Sequence, residues 1–173
     1  MENLKYPIGP FDFERPYKVS DAAEAVAHLK SFPGQLIVRV KDLTDEQLAL
    51  TYRPGGWSVR QILHHYPDSH LNLYTRLKFA LTEDKPSIKG YNEALWATTP
   101  DYKGDIALPL SFLKAIHGKL VAIMEEMTEE QWMRTYFHME YQKTFVLKDV
   151  VQLYKWHCDH HLAHIELALS TSK

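Results

Sequence analysis

Ten histidines occur in a chain of 173 residues, and the way they cluster suggests metal binding. His157, His160, His161 and His164 share one short segment. On a helix turning about 100° per residue they fall within roughly a 100° arc. His160 and His164 are one turn apart and can grip one ion from one face, as can His157 and His161. An isolated pair of this kind is more often solvated or packed in a core, and a third ligand must come from elsewhere. The run His64-His65-Tyr66-Pro67-Asp68-Ser69-His70 is the obvious donor. If it is helical, Val59, Ile62, Tyr66, Leu73 and Leu77 form its apolar stripe. His64 then faces away from the stripe, His65 sits at its edge and His70 near its centre. Spacing disfavours His64 and leaves His65 and His70 open. Other metal schemes fit badly. No Glu follows His160 or His157 as a zincin helix requires, and Glu-x-x-His, the mark of a di-iron bundle, is absent from the sequence.

Other residues gain meaning from these histidines. Ser69, Asn72 and Arg76 follow His65 at one-turn spacing, within about 40° of it. They read either as a solvated stripe or as a pocket lining in which Arg76 grips a carboxylate or phosphate with two parallel hydrogen bonds. His157 is a substrate contact or a support for the ligands, and Trp156 is a pocket wall or plain core. His117 interrupts an apolar helical stripe and reads as a satisfied core histidine. Asp149 reads as a helix-start acid. Cys158 faces away from His160, which argues against a nucleophile. No side chain stands out as a general base. His28, His138 and His161 have no assigned role.

Helices must position these groups, since the periodicity is helical rather than alternating. Residues 1–19 contain Pro7, Pro10 and Pro16 among aromatics and read as an extended arm laid over the body. A first helix is expected from a Ser20 cap to about Val40, kinked or broken at Pro33-Gly34. Capping boxes at Thr44, Ser58 and Thr128 open three more helices. The Ser58 helix is long, reaching about Glu83. Residues 85–106 read as a long irregular loop, a candidate lid. Helices over 107–127 and 147–170 follow, the second after a hairpin around 137–146. Thr44, Glu46, Gln47, Thr51 and Tyr52 recur as Thr128, Glu130, Gln131, Thr135 and Tyr136. That recurrence suggests two related helix pairs with approximate two-fold symmetry, or capping boxes that recur by chance.

Composition narrows the function class. An apolar fraction of 45% with 24% charged residues suits one globular domain spanning 1–173. A net charge of -2, with no basic cluster, argues against nucleic acid. A single cysteine excludes an internal disulfide and points to the cytoplasm. No uninterrupted apolar run approaches a membrane span and no signal-peptide core follows Met1, so no membrane partner is expected.

The motifs together resemble a known family. They are Tyr6-Pro7-Ile8-Gly9, Tyr52-Arg53-Pro54-Gly55-Gly56-Trp57-Ser58-Val59-Arg60-Gln61, His64-His65, Asp68-Ser69-His70, Asn72, Tyr74, Arg76, Leu81-Thr82-Glu83, and Trp156-His157 with His160-His161-Leu162-Ala163-His164-Ile165. Nearly the whole chain resembles the DinB/YfiT-like metalloenzymes, and within them the YfiT-type metal-dependent hydrolases. The resemblance implies an all-α four-helix bundle and three histidine ligands, which fall on His65, His160 and His164. It also implies a homodimer. Tyr66-Pro67 stands where such proteins carry Leu-Ala, and Pro67 is expected to kink the helix just after His65 by opposing the Leu63 carbonyl. Asp159 stands where histidine is common, but it projects away from the His160–His164 face.

Three neutral imidazoles leave a coordination position open, the layout of a catalytic metal. Zinc is the expected ion, and nickel also suits imidazole. Bound water falls towards a pKa of about 7 on zinc and becomes a nucleophile for a small substrate, giving a hydrolase. A bound low-molecular-weight thiol would instead give a thiol S-transferase. The third reading is a non-catalytic helical dimer scaffold.

Overall fold

Capping boxes fix where three helices begin in the computed structural model, which describes residues 2–170. The Gln47 amide donates to Thr44 Oγ1 at 3.3 Å and the Thr44 amide to Gln47 Oε1 at 3.0 Å, opening α3 (Asp45–Ala49). The same reciprocal pairs at Ser58/Gln61 and Thr128/Gln131 open α4 (Val59–Thr82) and α7 (Glu129–Trp132). The first long helix, α2 (Ala22–Val40), begins differently. Ser20 does not cap it; a 3-10 turn over Val19–Asp21 leads in, and the Lys18 amide donates to the Asp21 carboxylate at 2.9 Å. The arm is not wholly extended, since α1 covers Glu2–Lys5. Of its aromatics, Phe11 and Tyr17 are half-buried while Tyr6 and Phe13 stay exposed.

Neither interior proline ends its helix. Pro33 lies within α2 and Pro67 within α4, and both helices run on past them. What each proline does is deprive the carbonyl four residues back of its usual amide donor, leaving Leu29 and Leu63 free to accept from elsewhere.

The 85–106 segment is more ordered than a loop. It holds β1 (Ser87–Ile88), α5 (Glu93–Trp96) and a 3-10 turn over Pro100–Lys103. β1 pairs in parallel with β2 (Thr135–His138), which pairs antiparallel with β3 (Lys143–Val146), so the hairpin expected around 137–146 is the core of a three-stranded sheet.

The remaining long helices are α6 (Ala107–Met124) and α8 (Leu147–Ser170). Both α2 and α4 pack against α6 and α8. The long helices that follow one another within each half, α2 with α4 and α6 with α8, therefore lie diagonally across a four-helix bundle. The repeat noted in the sequence is visible in the connectors. Each half runs long helix, capped short helix, connector, long helix. Each connector includes a comparable bond at 3.0 Å, the Val59 amide to the Leu50 carbonyl and the Leu147 amide to the Arg134 carbonyl, but the first carries a single Thr51–Ser58 bridge where the second carries the β2–β3 ladder.

Leu29, Phe32 and Leu36 of α2 meet Ile62, Leu73 and Leu77 of α4, Leu113 and Leu120 of α6, and Val151 and Ile165 of α8 in the core. Burial of side chains this size is worth about 1.5–3 kcal/mol each. By length and composition alone α6 could cross a membrane, with a mean hydropathy of 1.4. Leu110, Leu113, Ile116, Leu120, Val121 and Met124 instead face the bundle interior, with buried His117 among them, while Leu108 and Phe112 stay exposed.

Candidate metal centre

Two neighbouring helices bring the histidines together. α4 carries His65 and His70, and α8 carries His157, His160, His161 and His164; all are buried apart from His157, which is half-buried. One bond sets the helices against each other beside the cluster: the Tyr66 hydroxyl donates to the Cys158 carbonyl at 2.8 Å. Tyr66 is thus an anchor between the two helices.

One ring nitrogen each from His65, His157 and His161 lie within 4.8 Å of one another, and so do donors of His160, His161 and His164. His65 and His157 face each other Nε2 to Nε2 at 3.1 Å. The expected trio of His65, His160 and His164 does not form a group among the described residues. The reason lies in what His160 and His164 do instead. His164 Nε2 lies 3.1 Å from the Lys5 carbonyl, its ring stacks on Tyr52 at 3.8 Å, and its Nδ1 is 3.4 Å from His161 Nδ1. His160 stacks on Trp156 at 4.4 Å. These rings hold the arm onto α8. The sequence could not show this, because the arm's backbone carbonyls carry no signal in residue types.

The histidines are held neutral. Burial, and then His160, pushes His65 down to about 3. Burial, then the neighbouring histidines, lowers His157 and His161 well below the ordinary range. Burial, then His164, brings His160 down to about 4. Neutral imidazoles with no acid hydrogen-bonded among them are a donor set for a divalent cation of borderline softness.

A cleft of about 340 Å³ opens onto the group, walled by Tyr6, Tyr52, Trp57 and Trp156. A larger groove of about 1030 Å³ between α3 and residues 97–106 contains no histidine, so the donors rather than the volume pick the site. Glu93 of α5 is the one carboxylate lining the histidine cleft. Glu93 is exposed as a residue, at the edge of the cleft, and its pKa is raised, first by partial desolvation of its carboxyl and then by Glu140, with Arg76 pulling the other way. Sequence reading missed Glu93. The only available signal was its place in a segment long enough to fold back over the site.

The expected pocket residues divide. His157 lines the cleft, whereas Ser69, Asn72 and Arg76 do not. Ser69 is buried, and its carbonyl accepts from the Tyr154 hydroxyl at 3.2 Å. The Asn72 side-chain amide donates to the Asp68 carbonyl of its own helix at 2.9 Å. Arg76 donates to the Tyr154 hydroxyl at 3.4 Å and has no carboxylate within ion-pair distance among the described residues. Arg76 Nε and His138 Nδ1 are buried without hydrogen-bond partners. Arg76 is near enough to act on the pKa of both Tyr91 and His138. His64 packs on Tyr102 at 5.3 Å, outside the cluster. His28 pairs with Asp159 at 3.0 Å. Burial drives the Cys158 thiol far up, which removes it as a nucleophile. Asp149 sits in the first turn of α8, paired with Lys148 at 2.6 Å.

Comparison with known proteins agrees with this architecture. The DinB superfamily model matches residues 21–165. The chain belongs to the DinB superfamily. Members similar to it include a Bacillus pumilus protein, 43% identical over 166 residues covering 95% of this chain and 94% of the relative. YfiT of Bacillus subtilis is 37% identical over 164 residues covering 94% and 92%. Both are named, provisionally, as metal-dependent hydrolases. The solved YfiT structure superposes with a TM-score of 0.93 over 98% of each chain, and is described as having an unusual four-helix bundle topology.

Proposed function

We propose that this protein is a metal-dependent hydrolase whose divalent ion is held by His65, His157 and His161. The observation that carries the reading is the gathering of those three ring nitrogens within 4.8 Å at the floor of a cleft. Three imidazole ligands suit zinc, and nickel also. When bound, such an ion supplies Lewis-acid chemistry: it acidifies water and polarises an electrophile.

The chain's own residues do the rest. Tyr52, Trp57 and Trp156 wall the cleft. Glu93, with its raised pKa, is placed to accept a proton from the attacking molecule and return it to the leaving group. Arg76, beyond Tyr154, has a buried Nε in want of a partner and is suited to a carboxylate or phosphate on the substrate. We further propose a cytoplasmic homodimer, which light scattering would detect as twice the monomer mass.

Metal analysis of protein purified without an affinity tag tests the centre. About one equivalent of zinc or nickel is expected, and less than half an equivalent with melting unchanged by chelation would favour a scaffold. Turnover of an ester and amide panel, with and without added low-molecular-weight thiol, tests the reaction class. Product formed only with thiol, and retaining it, would replace the hydrolase by an S-transferase.

A further inference from the structure

Behind the cluster, histidines continue across the bundle. His157 Nδ1 lies 3.3 Å from His70 Nε2, and His70 Nδ1 lies 2.8 Å from His117 Nε2. His117 Nδ1 lies 2.6 Å from the Leu29 carbonyl. The row starts on α8, crosses to α4 and α6, and ends on the backbone of α2. It can end there because Pro33 has no amide to offer that carbonyl. On the other side a shorter row joins His161 Nδ1 to His164 Nδ1 and His164 Nε2 to the Lys5 carbonyl.

A carbonyl only accepts, and a neutral imidazole carries one donor and one acceptor. Each row therefore has one consistent direction. Leu29 accepts, so His117 donates from Nδ1 and accepts at Nε2. His70 then donates from Nδ1 and accepts at Nε2, so His157 donates from Nδ1 and its Nε2 is bare. In the second row Lys5 accepts from His164 Nε2, His164 Nδ1 accepts from His161 Nδ1, and His161 Nε2 is bare. The bare Nε2 of His157 is the atom facing His65 at 3.1 Å.

We infer that these two carbonyl-anchored rows fix His157 and His161 as Nδ1–H tautomers, so that both present an unprotonated Nε2 to a cation before one arrives. His70, His117 and His164 are then positioning residues, and Pro33 and the N-terminal arm supply the anchors. This rests on the metal centre proposed above. Partners of this kind behind a ligand are commonly worth about 10–100-fold in metal affinity.

Long-range proton–nitrogen correlation spectra of metal-free protein near pH 7.5 test the inference directly, since protonated and bare ring nitrogens resonate far apart. His157 and His161 are expected to be protonated at Nδ1 and bare at Nε2. His117→Phe should make His157 a mixture of tautomers and leave His161 unchanged. His164→Phe should do the reverse. Each variant should weaken zinc binding about 10–100-fold with the fold retained. A merely structural role would not produce this crossed pattern. Either ring protonated at Nε2 in the wild type overturns the inference, whether or not the variants fold. So does a pair of folded variants whose tautomers and zinc affinity match the wild type. Wild-type protein that binds no zinc but shows both expected tautomers would refute the metal centre and leave the rows standing.

Discussion

Acid should destabilise the metal-free protein through His117 in particular, and the size of the effect follows from its surroundings. The ring is 2% exposed, and burial holds its pKa down to about 4 against an ordinary 6.5. In the unfolded chain His117 takes up a proton near 6.5, while the folded chain refuses it until about 4. Between those values the unfolded state binds more protons, so stability falls as pH falls. The contribution is fully present above 6.5 and gone below about 4. At about 1.4 kcal/mol per pH unit for one group, His117 accounts for about 3 kcal/mol of that loss. The comparison is wild type against His117→Phe, each stripped with chelator and unfolded in urea from pH 7.5 to 4. Buried histidines that do not share a row with His117 act in both proteins and cancel, whereas His70 and His157 feel its removal. Phe replaces the ring at similar volume without a titrating group, so its stability should fall by about 3 kcal/mol less over the window. Parallel curves would show that His117 is not a neutral buried base and would refute the reasoning.

Further predictions concern the site. His157→Ala and His161→Ala should each abolish stoichiometric metal uptake, whereas His160→Ala should retain it; elemental analysis of dialysed protein decides between this trio and the His160–His164 pair. Glu93→Gln should lower kcat by about 10²–10⁴ with metal content unchanged, the range for loss of a proton-transferring side chain. Arg76→Met should raise KM for anionic substrates by roughly 10–100-fold, from a charged hydrogen bond of about 1.5–3 kcal/mol, and leave neutral substrates alone.

Much of the bundle was legible because its signals are local. Capping boxes at Thr44, Ser58 and Thr128 depend on residues three apart, and all three start helices. Both prolines lie inside helices that continue past them, and a helix interior can absorb one when the freed carbonyl finds another donor, as Leu29 finds His117. The ligand set was harder. His157/His161 and His160/His164 have identical spacing, and side-chain periodicity cannot separate two i, i+4 pairs so close on one arc. What separates them is the Lys5 carbonyl on one side and His65 on the other, both contributed by chain far away in sequence. His117 was read as a satisfied core histidine, and it is one. That its partner His70 bonds in turn to His157 required the packing of three helices to be known.

The diagonal arrangement gives the site its dependence on the whole bundle. Each half of the chain contributes two long helices that barely meet, so every neighbouring pair mixes the halves. The hydrogen bonds around the candidate centre follow suit. Leu29 to His117, His117 to His70, His70 to His157, His157 to His65 and Tyr66 to Cys158 all cross from one half to the other. Neither half alone could gather the three rings or give the longer row its carbonyl end. Metal affinity and closure of the bundle are therefore linked: an ion that binds only the assembled site must stabilise the fold by its own binding free energy. The core row draws the same consequence from the other side, because loosening α2 against α6 would free His117 and, through His70, the tautomer of a ligand on α8.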